Sequence, residues 1–232
     1  MKTALITGST RGIGMQIGLD LLAKGYFVYF NGRSYYRFIE SADINTQKHS
    51  FIQADLSRME EIKKINDTIT KLDVLVLNIG ITDRSEFGNV SLDNWNNVFN
   101  ANLTIPFFLI QELRDKINKN GRIIFISSVL GTTPHSRSIS YGVSKAGINM
   151  LAQYLAKEFA ERNITVNAVV PGFVVTDWHK GKSEEQIKRI EDKTLLKRFG
   201  TTEEVSKAVL SIIDNPYITG QLMKVDGGYG LL

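Results

Sequence analysis

Tyr141 and Lys145 stand four residues apart in the run Tyr-Gly-Val-Ser-Lys. On a helix that spacing points both side chains the same way. A free tyrosine, with a pKa of about 10, is a poor proton donor or acceptor near neutrality. An ammonium one turn away favours the phenolate and lowers that value. A phenol tuned in this way can protonate a carbonyl oxygen during reduction, or deprotonate an alcohol in reverse. Ser128 lies thirteen residues upstream, just past the apolar run Ile123-Ile-Phe-Ile126. Its hydroxyl can hydrogen-bond the same oxygen and hold it beside Tyr141.

A second group of residues suits an anion. Gly8, Gly12 and Gly14 follow the apolar run Ala4-Leu5-Ile6 and precede Ile17, Leu21 and Leu22 at helical intervals. Glycines on a strand-to-helix turn let the backbone bend sharply and a ligand approach closely. The helix N-terminus behind them offers unpaired N–H groups and partial positive charge. The spacing is G-x-x-x-G-x-G, neither the G-x-G-x-x-G of other dinucleotide folds nor a P-loop. About 20 residues further on, an NAD-selecting site places an acid for the ribose hydroxyls. Here the stretch reads Phe30-Asn-Gly-Arg33-Ser34, with no acid. Arg11 and Arg33 are placed to grip a 2′-phosphate with charge-assisted, bidentate bonds. NADP(H) is therefore expected over NAD(H).

The elements that must position these groups alternate between strand and helix. Strands are expected at Ala4–Ile6, Tyr26–Phe30, around Phe51-Ile52, Asp73–Leu77, Arg122–Ile126, Ile164–Val170 and Gln221–Val225. The unbroken apolar run of Asp73-Val-Leu-Val-Leu77 fits a parallel strand buried on both faces. Helices are expected after Gly14, over Ser57–Lys71 with Ser57 and Glu60 as a capping box, and over Ser91–Asn118 with Pro106 as a kink. Others should cover Ile139–Arg162, Ser183–Asp192 and Thr202–Asp214. No repeat, linker or composition break interrupts the chain. The expected fold is α/β: one Rossmann-type, doubly wound domain over residues 1–232, a mostly parallel seven-stranded sheet with helices on both faces. Ligands of such folds bind beyond the carboxyl ends of the strands.

Composition removes several rival chemistries. The chain has 232 residues, 43% hydrophobic and 22% charged, ordinary for a soluble globular protein and enough for a sizeable core. The absence of cysteine excludes disulfides, thiolate metal sites, iron–sulfur clusters and cysteine nucleophiles. A formal charge of +4 is too weak by itself to indicate nucleic acid. The N-terminus lacks the form of a signal peptide, and no apolar run approaches membrane-spanning length, so a cytoplasmic protein is expected. His49, His135 and His179 lack metal-ligand spacing, and no metal is expected. The Ser127-Ser128-Val-Leu-Gly segment is no G-x-S-x-G elbow, which argues against a hydrolase. Trp95 reads as packing beside Val98 and Phe99, whereas Trp178 fits equally a packing residue or a substrate wall.

In order along the chain, Thr7-Gly-Ser-Thr-Arg-Gly-Ile-Gly14, Asn78-Ile-Gly80, Asn102, Ser128, Tyr141…Lys145 and Pro171-Gly172…Thr176 resemble the short-chain dehydrogenase/reductase family. The resemblance covers essentially the whole chain. The tail, with Lys197-Arg-Phe-Gly200, Glu203-Glu-Val205, Tyr217-Ile-Thr-Gly220 and Val225-Asp-Gly-Gly228, is similar to the 3-oxoacyl-[acyl-carrier-protein] reductase branch. By resemblance, Tyr141 is the general acid/base, Lys145 binds the nicotinamide ribose, Ser128 orients the substrate carbonyl, and Asn102 holds a water linking Lys145 to solvent. The implied cofactor set is Gly8, Thr10, Arg11, Gly12, Ile13 and Gly14 on the first turn, Arg33, Asp55 with Leu56 at the adenine, Asn78 and Gly80 at the adenosine ribose, Tyr141 and Lys145, and Pro171, Gly172, Val174 and Thr176. Asp177 to about Leu196 would form a mobile lid. Lys119 and Arg162 would face the site entrance and receive an acidic carrier protein.

The resemblance implies a ketone reductase acting on a small-molecule or carrier-bound substrate, a 3-oxoacyl thioester first and a sugar, polyol or other small alcohol as the alternative. A non-catalytic dinucleotide-binding regulator is the rival of a different class. A homotetramer built through the two long helices and the C-terminal strand is implied too. One departure stands out. The family's Asn-Asn-Ala-Gly after the fourth strand is here Leu77-Asn78-Ile79-Gly80, placing bulk near the cofactor ribose. The segment after Arg33, with Tyr35, Tyr36 and Phe38, is short and aromatic.

Overall fold

The computed structural model describes residues 1–35, 38, 47–134 and 138–231. Tyr36 and His135, singled out above, lie outside the described residues, as does the side chain of His179. Seven strands form one sheet: β1 (Thr3–Ile6), β2 (Phe27–Gly32), β3 (His49–Gln53), β4 (Leu72–Leu77), β5 (Ile117–Ile126), β6 (Thr165–Pro171) and β7 (Leu222–Val225). Their spatial order is β3-β2-β1-β4-β5-β6-β7, and every neighbouring pair is parallel. Among the described residues the α-helices are α1 (Gly12–Ala23), α2 (Ile62–Thr68), α3 (Leu92–Phe99), α4 (Ile105–Leu113), α5 (Ile139–Glu158), α6 (Glu184–Glu191) and α7 (Thr202–Asp214).

Strand residues alternate between two cores because successive side chains leave opposite faces of a sheet. Ala4, Ile6, Val74, Val76, Ile124 and Ile126 meet α1 and α7 through Ile17, Leu21, Val205 and Val209. Leu5, Leu75, Leu77, Ile123 and Phe125 meet α2, α4 and α5 through Ile65, Leu109 and Ile148. Both faces are covered, which is why the central strands read as unbroken apolar runs. Leu77, where the family has asparagine, is buried in the second of these cores, so its side chain serves packing.

Three local expectations differ from what forms. The capping box at Ser57 is not made: Ser57 donates its N–H and its hydroxyl to Asp55 Oδ1, at 3.1 and 2.8 Å. A 3₁₀ turn at Met59–Glu61 then leads into the shorter α2. Asp55 wins the serine because an aspartate two residues back closes a tight turn on its own.

The long helix expected to reach Asn118 ends at Leu113, followed by a 3₁₀ turn, and β5 begins at Ile117. Burial of Ile117 against the sheet drives this, and a register shift opposite Leu72 and Val74 accommodates the polar Asn118–Gly121 segment.

Pro106 is not itself the break in the expected long helix: it lies in the first turn of α4. The interruption is a π-helical turn at Asn100–Thr104. Such turns inside helices are frequently found at functional sites, and this one carries Asn102.

Candidate active site

The carboxyl ends of the strands open into a cleft of about 760 Å³ beside the point where the chain order reverses between β1 and β4. Hydrogen bonds from two asparagine amides shape its floor. Asn78 ties the end of β4 to the end of β1: its N–H donates to Thr7 Oγ1 at 3.0 Å and its Nδ2 to Gly8 O at 2.9 Å. Asn31, at the end of β2 and fully buried, donates through Nδ2 to the carbonyls of Ile52 and Ala54 and accepts the Gly8 N–H. Sequence reasoning missed Asn31, although a lone asparagine closing the apolar run Phe27–Phe30 was a signal for it.

The first turn is built for an anion. Arg11 is the N-cap of α1, but its side chain makes no capping bond, and the first helical turn carries no acid. The leading N–H groups of α1 are thus left for a ligand. Gly12 has φ +57°, in the left-handed region that favours glycine, and lines the cleft. Gly14 does not line it. A Cβ there would sit 2.5 Å from Asn78 Nδ2, so Gly14 lets α1 approach the end of β4. Ile79 lies over the turn, its Cγ1 2.9 Å from where a Gly8 Cβ would stand. The uncapped helix end and the open glycines fit a pyrophosphate.

The other expected cofactor positions, Thr10, Ile13, Arg33, Asp55, Leu56, Gly80, Pro171, Gly172, Val174 and Thr176, all line the same cleft. Arg11 reaches Asp177 Oδ2 at 3.4 Å, in an exposed pair. Arg33 is exposed and meets no carboxylate within ion-pair distance among the described residues.

At the other end of the cleft stand Ser128, Tyr141 and Lys145. Ser128 heads a 3₁₀ turn directly after β5, its Oγ accepting the Leu130 N–H at 3.2 Å. It also lies near enough to the Tyr141 phenol to favour its ionised form. Lys145 is 3% exposed. Its Nζ donates to the Ile126 carbonyl at 2.8 Å and lies 5.7 Å from the centre of the Tyr141 ring.

The proton affinities differ from those the spacing suggests. Burial pushes the Tyr141 phenol up to about 12, and the Ser128 hydroxyl offsets only part of that. Burial also pulls the Lys145 ammonium down to about 8. For the tyrosine, burial is the larger influence and Ser128 the smaller, while the ammonium is bonded to Ile126 O. Near neutrality the tyrosine therefore carries its proton and the lysine is mostly charged. A protonated phenol beside a serine hydroxyl can together hold and protonate one carbonyl oxygen.

Asn102 lies behind this group. It is buried, accepts the Ile81 N–H at 2.8 Å, and donates to Ile81 O and Ser144 Oγ, each at 2.9 Å. It braces the π-helical turn against the loop after β4 and against α5. Trp178 lines the cleft with its ring centre 5.9 Å from that of Tyr141. Lys119 and Arg162 do not border the cleft of their own chain. They sit by the amino ends of β5 and β6, across the sheet from it, and the Arg162 guanidinium donates to the carbonyls of Arg114 and Ile117. Among the described residues no group of His, Cys, Asp or Glu is placed to hold a metal, and no helix is long and apolar enough to cross a membrane.

The enoyl-(acyl carrier protein) reductase family description matches residues 8–230. The chain belongs to the short-chain dehydrogenase/reductase family of oxidoreductases. Within that family it is similar to the 3-oxoacyl-[acyl-carrier-protein] reductase FabG of Aquifex aeolicus, 38% identical over 98% of this chain and 96% of the relative. Nodulation protein G of a Rhizobium species is 35% identical over 100% and 98%. The Pseudomonas aeruginosa RhlG/NADP active-site complex superposes with a TM-score of 0.91 at 27% identity, covering 98% of this chain and 95% of that one.

Proposed function

We propose that the protein reduces a ketone to a secondary alcohol with NADPH, and that the ketone is a 3-oxoacyl thioester. The observation that carries this reading is the meeting of the Ser128 hydroxyl and a protonated Tyr141 beside a buried ammonium at one end of an anion-ready cleft. Bound along the cleft, NADPH would supply the hydride that the carbonyl carbon accepts. Ser128 orients the carbonyl oxygen, and Tyr141 gives it a proton. Lys145 holds positive charge next to the phenolate left behind. Gly8, Gly12 and the uncapped end of α1 would hold the pyrophosphate, and Arg11 and Arg33 the 2′-phosphate. Asn102 is a positioning residue through Ser144 and Ile81.

The matched family description names an enoyl reductase, whereas curated relatives at 34–38% identity are named as 3-oxoacyl reductases. The near full-length similarity to those relatives favours the latter. The segment Asp177–Leu196, largely exposed and rich in charge, serves as the lid of a single 232-residue domain.

A homotetramer is supported by an apolar stripe that one chain leaves in water. Phe107 and Phe108 on α4, with Val143, Met150 and Tyr154 on α5, are all more than a third exposed.

The test is NADPH oxidation with acetoacetyl thioesters, sugars and diketones, using the natural chain and Tyr141→Phe. Thioester turnover that drops 10²- to 10⁴-fold in the variant, with NADPH binding retained, is expected. Full turnover in Tyr141→Phe would end the assigned role, and no response to any thioester would end the substrate assignment.

A further inference from the structure

We propose that Asn149 is a positioning residue for the reduction, its amide setting where Ser128 stands relative to Tyr141 and Lys145. The inference rests on the carbonyl-reduction reading above and adds the group that joins the two halves of the site. Ser128 heads the turn after β5, whereas Tyr141 and Lys145 lie on α5. Two separate pieces of chain must be held at one spacing for a serine hydroxyl and a phenol to reach the same oxygen. Asn149 lies one helical turn beyond Lys145 on the same face of α5, and is 6% exposed.

The amide clasps the Ser128 segment at both ends. Its Oδ1 accepts the Ser127 hydroxyl at 2.6 Å, and its Nδ2 donates to the Gly131 carbonyl at 3.2 Å. Ser127 is also fixed from the sheet, its N–H donating to Val169 O on β6 at 2.8 Å. Gly131 closes the gap to α5: a Cβ there would lie 2.7 Å from the Lys145 carbonyl carbon and 2.9 Å from the Ala146 nitrogen. The Ser128 turn therefore rests directly on the backbone that carries Lys145, and the amide fixes its place along that backbone. An apolar side chain of similar size could fill the space but not make the bonds. It would leave Ser127, itself buried, with only the longer bond from its hydroxyl to Lys145 O at 3.3 Å, and the Gly131 carbonyl without this donor. Asn149 does not border the cleft, so it acts through Ser128 and not on the substrate.

Asn149→Leu and Asn149→Asp test this in NADPH-driven reduction of whichever ketone the natural chain turns over. Asn149→Leu should lower kcat about 10- to 100-fold while NADPH still binds. With NADPH deuterated at the transferring position, its isotope effect on kcat should exceed that of the natural chain, because a misplaced carbonyl oxygen slows the chemical step. A variant that had merely lost folded protein would keep the natural isotope effect. Ser127→Ala added to Asn149→Leu should cost little more, since both remove the same bond. Asn149→Asp keeps the acceptor for Ser127 but, when ionised, has no donor for Gly131 O. Burial raises the pKa of such a carboxyl, and its protonated form donates again. The ratio of variant to natural kcat should therefore climb as pH falls from about 8 to about 5. That comparison is made within one protein, so it decides the matter even where Asn149→Leu does not fold. A crystal structure of Asn149→Leu, or of Asn149→Asp at high pH, should show the Ser128 turn displaced from α5, a readout that needs no turnover. If the natural chain reduces no ketone, the reduction reading falls and the displacement alone decides the role of Asn149. A natural kcat and isotope effect in Asn149→Leu, a ratio independent of pH in Asn149→Asp, or an unmoved Ser128 turn would overturn the inference and leave the reduction reading in place.

Discussion

Lys145→Met should make the fold more stable at neutral pH and less so as pH rises. Lys145 is 3% exposed, and its ammonium is pulled down to about 8 from 10.5. The folded state thus binds this proton less tightly than the unfolded chain does. Below about pH 8 both states are charged and the fold carries the full penalty of the buried charge. Between about 8 and 10.5 the folded lysine is neutral first, and the penalty fades as pH rises. The penalty amounts to about 3 kcal/mol at pH 7 and about 1 kcal/mol at pH 10. Methionine fills a similar volume without the charge but loses the bond to the Ile126 carbonyl, which returns about 1 kcal/mol. The variant should therefore gain about 2 kcal/mol at pH 7 and nothing measurable at pH 10. Urea unfolding followed by circular dichroism, at one fixed protein concentration, gives both midpoints and slopes. A variant less stable than the natural chain at pH 7, or an offset that does not change between pH 7 and 10, would refute the reasoning. The same variant should lose most of its turnover, since the site keeps this charge at the expense of stability.

Two further outcomes follow from the surface of the cleft and of the helices. Arg33→Ala should weaken NADPH binding at least tenfold, about 1.4 kcal/mol, and leave NADH binding within twofold; equal losses for the two nucleotides in a fluorescence titration would remove the 2′-phosphate role. Met150→Glu places a charge in the exposed apolar stripe of α5, and the mass measured by light scattering should fall from that of a tetramer to a smaller species; an unchanged mass would place the subunit interface elsewhere.

Most of the fold was legible in the sequence because period and burial agree there. Leu72–Leu77 and Thr165–Pro171 are covered on both faces, and a run that must be apolar on both faces is hard to misread. What the sequence could not show is competition between local partners. Ser57 is a good N-cap on paper, but Asp55 two residues earlier takes both its donors. Pro106 looks like a kink, yet the break comes earlier, at a π-helical turn with no composition of its own. The members of the site were legible as types and spacings, Tyr141 with Lys145 above all. Their proton affinities were not, because helical spacing says that two side chains share a face without saying which atoms meet. At Tyr141 burial, which the spacing does not reveal, is the largest influence.

That geometry sets a direction for the proposed chemistry. A phenol pushed up to about 12 keeps its proton through the whole physiological range, so the resting cleft already holds the proton that carbonyl reduction consumes. Oxidation of an alcohol would have to begin by removing that proton against the same burial. A charged Lys145 eases the phenolate once it forms, and with the ammonium at about 8 that help declines as pH rises past 8. Reduction should therefore slow above about pH 8, since the phenolate it generates then sits next to an increasingly neutral amine. The burial that costs the fold stability at Lys145 also keeps the proton on Tyr141, and a more open, more stable cleft would weaken the bias toward reduction.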